Sequence, residues 1–97
     1  MAPLRAEANI DTIAPDRYLV QLCKRFAPND PATYSNHQGR AEFEFGNCTL
    51  LAAGRSLTLV AEAEDEASLA QVQRLVSTYL EQSMWRERPT ITWIRRG

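Results

Sequence analysis

The sequence predicts an α+β fold, a two-layer sandwich in which two helices cover one face of an antiparallel sheet, with residues 1–97 forming a single domain. Three observations lead there. From Asp65 to Trp85 the apolar residues Leu69, Val72, Val76, Tyr79, Leu80 and Met84 recur at helical spacing, while Gln71, Gln73, Arg74, Ser77, Glu81 and Gln82 take the wetter side. From Gly39 to Glu64 apolar and polar residues alternate with the period of a half-buried sheet. A shorter helical stripe, Leu19, Leu22, Cys23 and Phe26, lies upstream of both.

Leu4 to Ile10 alternates, with Leu4, Ala6, Ala8 and Ile10 on one side, and reads as a first strand. Pro15 followed by Asp16 is a helix start, because proline at the first helical position loses no needed N–H and an acid there suits the helix dipole. Lys24 and Arg25 suit its end, and Pro28 and Pro31 stop it. Thr33 and Tyr34 begin a short second strand, which turns over Ser35 to Gly39 with Gly39 free to take positive φ.

Arg40 to Phe45 alternates, with Ala41, Phe43 and Phe45 on one face and Arg40, Glu42 and Glu44 on the other. Gly46-Asn47 fits a two-residue turn into a strand carrying Cys48 and Leu50 on one face. After a turn at Gly54, Ser56 to Glu64 gives a strand with Leu57, Leu59, Ala61 and Ala63 inward. Asp65 is the expected N-cap of the long helix, Pro89 forbids its continuation, and Thr90 to Ile94 is expected as a last strand with Ile91 and Trp93 inward. Helices on one side leave Glu42, Glu44, Thr58, Glu62 and Thr92 on a solvated outer face.

Composition narrows the function. Eleven basic against twelve acidic side chains exert no global pull on nucleic acid or an anionic membrane. No apolar run nears the roughly 20 residues that span a bilayer, and Met1 to Ile10 lacks the apolar core of a secretion signal, so the expected location is the cytoplasm. Cys23 and Cys48 are too few for a disulfide scaffold and too distant in sequence for a zinc knuckle, so they are expected as free thiols.

No constellation reads as catalytic or metal-binding, and no cofactor is expected. His37 stands alone in a turn, and nothing in the spacing joins it to Cys23 or Cys48 and a carboxylate. Phe43, Phe45 and Trp93 do not make a nucleic-acid platform, since Glu42 and Glu44 interleave them and would repel phosphate. Arg86 and Arg88, with Arg95 and Arg96 nearby in sequence, are forks suited to carboxylate or phosphate. The acidic run Glu62, Glu64, Asp65 and Glu66 offers them a counterpart on a second copy. Leu51, Val60, Ile94 and Trp85 fall outside the inward set, and together they would mark an interface.

Arg17-Tyr18-Leu19 through Leu22-Cys23-Lys24, Phe45-Gly46-Asn47-Cys48, Leu57-Thr58-Leu59, and Arg86-Glu87 followed by Trp93 resemble, in order and spacing, the small bacterial proteins of the domain of unknown function 2218 family. The resemblance implies a sandwich similar to the TATA-box-binding-protein-like fold, which the C-terminal domain of phosphohexomutases also adopts, with no established activity. It further implies a setting near siderophore-uptake or iron-related genes. Many relatives carry two histidines where Arg25 and Pro28 stand here, so any histidine chemistry of the family is not expected in this chain.

Two readings of function follow. The first is a non-enzymatic cytoplasmic interaction module, for which a homodimer is one form. The alternative is an accessory protein binding a small molecule or anion through Arg86, Arg88 and the Cys23/Cys48 neighbourhood between helix and sheet.

Overall fold

Six antiparallel strands and two helices make up the computed structural model, which describes residues 3–96. In chain order these are β1 (Leu4–Asp11), α1 (Pro15–Phe26), β2 (Ala32–Tyr34), β3 (Gln38–Phe43), β4 (Gly46–Ala53), β5 (Ser56–Ala63), α2 (Glu66–Ser83) and β6 (Ile94–Arg96). The sheet order is β2-β3-β4-β5-β1-β6, so the first strand returns to pair with the fifth and the last strand closes the far edge.

Both helices pack on one face of this sheet, as the alternation requires. Leu57, Leu59, Ala61 and Ala63 of β5 are buried with Cys48, Leu50 and Ala52 of β4 and Ala6, Ala8 and Ile10 of β1. Leu19, Leu22, Cys23 and Phe26 of α1 and Leu69, Val72, Val76 and Leu80 of α2 cover them. Tyr18 of α1 donates its hydroxyl hydrogen bond to Glu87, just past α2, and Arg25 donates to Gln82 at 3.0 Å. Pairings that descend α2 as they climb α1 make the two helices antiparallel.

Asp65 caps α2 as expected, its carboxylate accepting from the Ser68 N–H at 2.7 Å. That contact, ahead of any solvation effect, holds its carboxyl below the usual range. At α1 the expected Pro15 start is present, but Ala14 has no capping side chain and the Thr12 hydroxyl instead accepts from the Ala14 N–H.

Three expectations need correction. The β3–β4 connection is Glu44-Phe45, while Gly46 and Asn47 already belong to β4, with Gly46 opposite Phe43. Gly46 is needed there for close approach rather than for a turn, since a Cβ would overlap the Glu62 carbonyl oxygen and meet Val72 Cγ2 at 2.8 Å. Gly39 is likewise a strand residue without positive φ, and the turn before it is Ser35 to His37, tied by the Ser35 N–H donating to the Gln38 carbonyl at 2.7 Å. Finally, the last strand is Ile94–Arg96 rather than Thr90 to Ile94. Trp93 turns toward α2, where its Nε1–H donates to Ser77 Oγ at 2.9 Å, and with Ile91 it packs against the core from outside the ladder. An indole anchored to a helix side chain wins here over period-two alternation.

Candidate functional site

With the helices confined to one side, the opposite face of the sheet is uncovered, and strand register fixes what it displays. One row across it runs Ile94, Glu7, Val60, Thr49, Arg40 and Thr33 from β6 to β2. Beside it runs Arg96, Arg5, Glu62, Asn47 and Glu42, and on the other flank Asn9, Thr58, Leu51 and Gln38. Val60 and Leu51 thus stand diagonally adjacent on the two central strands, and Ile94 lies two strands beyond Val60 in the same row. Leu51 is 36 % and Ile94 50 % exposed, while Val60 is half-buried among its neighbours.

Charges ring this centre in balanced number. Arg5 reaches Glu62 at 3.8 Å, Arg96 reaches Glu7 at 2.8 Å and Arg40 reaches Glu42 at 2.6 Å. Exposed pairs of this kind contribute only about 0.2 to 1 kcal/mol each, so they can exchange partners at little cost. Between them, Thr58 donates its hydroxyl to Asn9 Oδ1 at 2.7 Å. At its β2–β4 end this face holds an open cleft of about 420 Å³ lined by Thr33, Tyr34, Ser35, Gln38, Gly39, Arg40 and Thr49.

The residues singled out from sequence fall in two separate places. Cys23 and Cys48 are free thiols, fully buried beneath α1, with the Cys23 sulfur resting over Gly39. Burial pushes the Cys23 thiol up to about 11. Burial and then the neighbouring Cys23 push Cys48 up to about 12, so both are protonated and poorly nucleophilic near neutrality. Arg86 and Arg88 are instead exposed on the turn after α2. Arg86 lies over the Trp85 ring at 4.9 Å, and a shallow cleft of about 390 Å³ is lined by Glu81, Trp85, Arg88 and Pro89.

The four C-terminal arginines do not converge. Arg95 pairs with Glu66 at 2.5 Å in the first turn of α2, whereas Arg86 and Arg88 follow its last turn, about 27 Å away at 1.5 Å per residue over 18 residues. His37 is exposed in its turn, and among the described residues no group of three or more His, Cys, Asp or Glu side chains converges as a metal site. No helix among the described residues is long and apolar enough to cross a membrane.

Sequence reading grouped Leu51, Val60, Ile94 and Trp85 as outliers of one patch; Trp85 lies apart from the other three, on the turn after α2, and Arg5, Glu7 and Arg40 were missed as neighbours of those three. Arg40 joins this surface through the β3–β4 and β4–β5 hairpins, whereas Arg5 and Glu7 join it only through the β5–β1 pairing, whose partners are 45 to 59 positions apart and leave no local signal.

Comparison with known proteins agrees with the architecture. The NMR structure of PA4090 from Pseudomonas aeruginosa is similar, with a TM-score of 0.79 and 27% sequence identity over 94% of this chain and 95% of that one. No curated protein matches the chain. The family described as an uncharacterized protein conserved in bacteria, DUF2218, matches residues 7–94, and the chain belongs to that family.

Proposed function

We propose that this protein is a non-enzymatic interaction module that pairs with a second copy of itself through the open face of its sheet. The observation that carries the reading is the register that sets Val60 and Leu51 at the centre of an uncovered six-stranded face bordered by both signs of charge. A two-fold pairing buries the same patch on both copies, so the patch must complement itself. Three arginines and three glutamates around an aliphatic centre meet that condition. Strands about 4.8 Å apart and up to about 26 Å long give a face of about 600 Å², hence about 1,200 Å² buried in total. That is the lower edge of the range for specific complexes, so the pair is weak and reversible. Edge-to-edge growth of the sheet is less suited, because the edge strands β2 and β6 each have only 3 residues. The pair acts in the cytoplasm as one domain per chain, and the family resemblance suggests iron or siderophore handling as its setting.

Sedimentation across a dilution series tests this. The wild-type chain is expected to pass from dimer to monomer on dilution, and Val60→Asp, which adds a carboxylate beside Glu7 and Glu62, is expected to be monomeric throughout while keeping its thermal transition. A wild-type monomer at every concentration removes the proposal.

A second reading, anion or small-molecule binding, draws on the cleft at Glu81, Trp85, Arg88 and Pro89 with Arg86 stacked beside it. The sealed thiols would take no part in it. A thermal-shift screen with phosphate, flavins, metals and siderophores checks it, since a ligand selective for the native state raises the melting temperature.

A further inference from the structure

The open face carries a more specific statement, which rests on the self-pairing just described: the position of the two-fold axis. We propose that two copies stack face to face about an axis running along the strands between β4 and β5, so that Arg40 meets the partner's Glu7 and Arg5 meets the partner's Glu42.

The argument is one of register. A two-fold axis lying in the interface along the strands keeps each row opposite itself and reverses the order of strands within it. With the axis between β4 and β5, the middle of the order β2-β3-β4-β5-β1-β6, β4 faces the partner's β5 and β3 faces the partner's β1. In the row of Val60, that operation lays Arg40 on Glu7 and Val60 on Thr49. In the row of Glu62, it lays Glu42 on Arg5 and Glu62 on the Asn47 amide, which can donate to it. In the row of Leu51, it lays Leu51 on Thr58 and Gln38 on Asn9. Across these three rows on the four central strands, every charge meets an opposite charge or an amide, and Val60 and Leu51 each meet a threonine methyl.

Sheet twist does not spoil the match. Packed sheets cross at about 30°, and β3 and β1 lie about 7 Å from the axis, so facing residues shift by about 4 Å. That is less than the roughly 7 Å between rows and within the reach of an arginine side chain. Because Arg40 and Glu42 already pair within the chain, as do Arg5 and Glu62, each side of the dimer would hold one four-charge cluster built from Arg40, Glu42 and the partner's Glu7 and Arg5. An axis across the strands, between the rows of Val60 and Glu62, also pairs arginine with glutamate. It lays Val60 on Glu62, however, and overlaps only two rows.

The row of Leu51 provides the test, since Gln38 and Asn9 are uncharged and three strand spacings apart within one chain, about 14 Å, too far to pair with each other there. The double variant Gln38→Glu/Asn9→Arg creates two new pairs across the proposed axis, while any pair the new charges make with Arg40 or Glu7 of their own chain forms in monomer and dimer alike. Gln38→Arg/Asn9→Arg creates two repulsions. Sedimentation equilibrium at low salt, with thermal melts to verify folding, is expected to give a dissociation constant about threefold to tenfold tighter for the first and weaker by a similar factor for the second. If Val60→Asp abolishes the dimer while both double variants match wild type, the axis lies elsewhere and the axis proposal alone is overturned. If wild type does not dimerise at all, both proposals fall.

Discussion

Gly39 lies directly beneath Cys23: a Cβ at position 39 would come within 2.7 Å of the Cys23 sulfur and 3.2 Å of Leu19 Cδ2. The absent side chain lets α1 settle onto β3, just as Gly46 lets α2 settle onto β4 and β5. The two glycines differ in what opposes a methyl group. At Gly39 the obstacle is the end of a side chain, which can rotate; at Gly46 it is the Glu62 carbonyl, held by the sheet. Gly39→Ala is therefore expected to cost about 1 to 3 kcal/mol and Gly46→Ala at least the upper end of that range. Urea denaturation of the two variants checks the order. Adding Cys23→Ala should recover part of the loss at Gly39 and none at Gly46.

Phe43 anchors the aromatic end of the core. Its ring meets Phe26 edge-on at 5.2 Å and stacks on Phe45 at 5.6 Å, and only 9 % of it is exposed. Phe43→Ala is expected to lose about 3 to 5 kcal/mol. Phe45 sits in the turn and is half-buried, so Phe45→Ala should cost clearly less. Equal losses in chemical denaturation would contradict this ranking.

The α2 stripe and the β5 alternation were readable because each is a long local period: Leu69, Val72, Val76 and Leu80 are buried with Tyr79 half-buried beside them, and Leu57, Leu59, Ala61 and Ala63 are all buried. What sequence misread depends on contacts made at a distance. Gly46-Asn47 has the composition of a turn, but the position of Gly46 is dictated by Glu62 and Val72 across the fold. Thr90 to Ile94 has a strand's alternation, but Trp93 is drawn to Ser77 and pairing begins only at Ile94. The open face was half legible. Its aliphatic members stood out as misfits, whereas the charges that frame them look like ordinary solvated residues until β1 is set beside β5.

Arg88 is the one non-glycine residue with positive φ among the described residues, at 48°, and it precedes Pro89. Its N–H donates to the Met84 carbonyl at 3.0 Å, as does that of Glu87, so the conformation closes the turn after α2. A left-handed conformation costs an L-residue about 1 to 2 kcal/mol that glycine avoids. Arg88→Gly is accordingly expected to stabilise the fold by about 1 kcal/mol, visible as a rise of several degrees in melting temperature. A fall would mean that the arginine side chain contributes more than its backbone strain costs.

Burial of the two thiols makes the fold sensitive to alkali in a direction that can be worked out. In the unfolded chain both cysteines ionise near the ordinary value of about 8.5. In the folded chain they hold their protons up to about 11 for Cys23 and about 12 for Cys48. Between these limits the unfolded state carries fewer bound protons than the native state, so stability falls as pH rises. Below about pH 8 the thiols contribute no pH dependence; above about 9 each approaches a loss of about 1.4 kcal/mol per pH unit. Urea midpoints at pH 7.5, 9 and 10.5 should therefore drop, and Cys23→Ala/Cys48→Ala, less stable at pH 7.5 from lost packing, should show a much flatter decline. An equally steep decline in the double variant would assign the alkaline transition to other groups. Slow thiol labelling of the native protein at neutral pH, accelerating only under unfolding conditions, would locate the same two protons by an independent measurement.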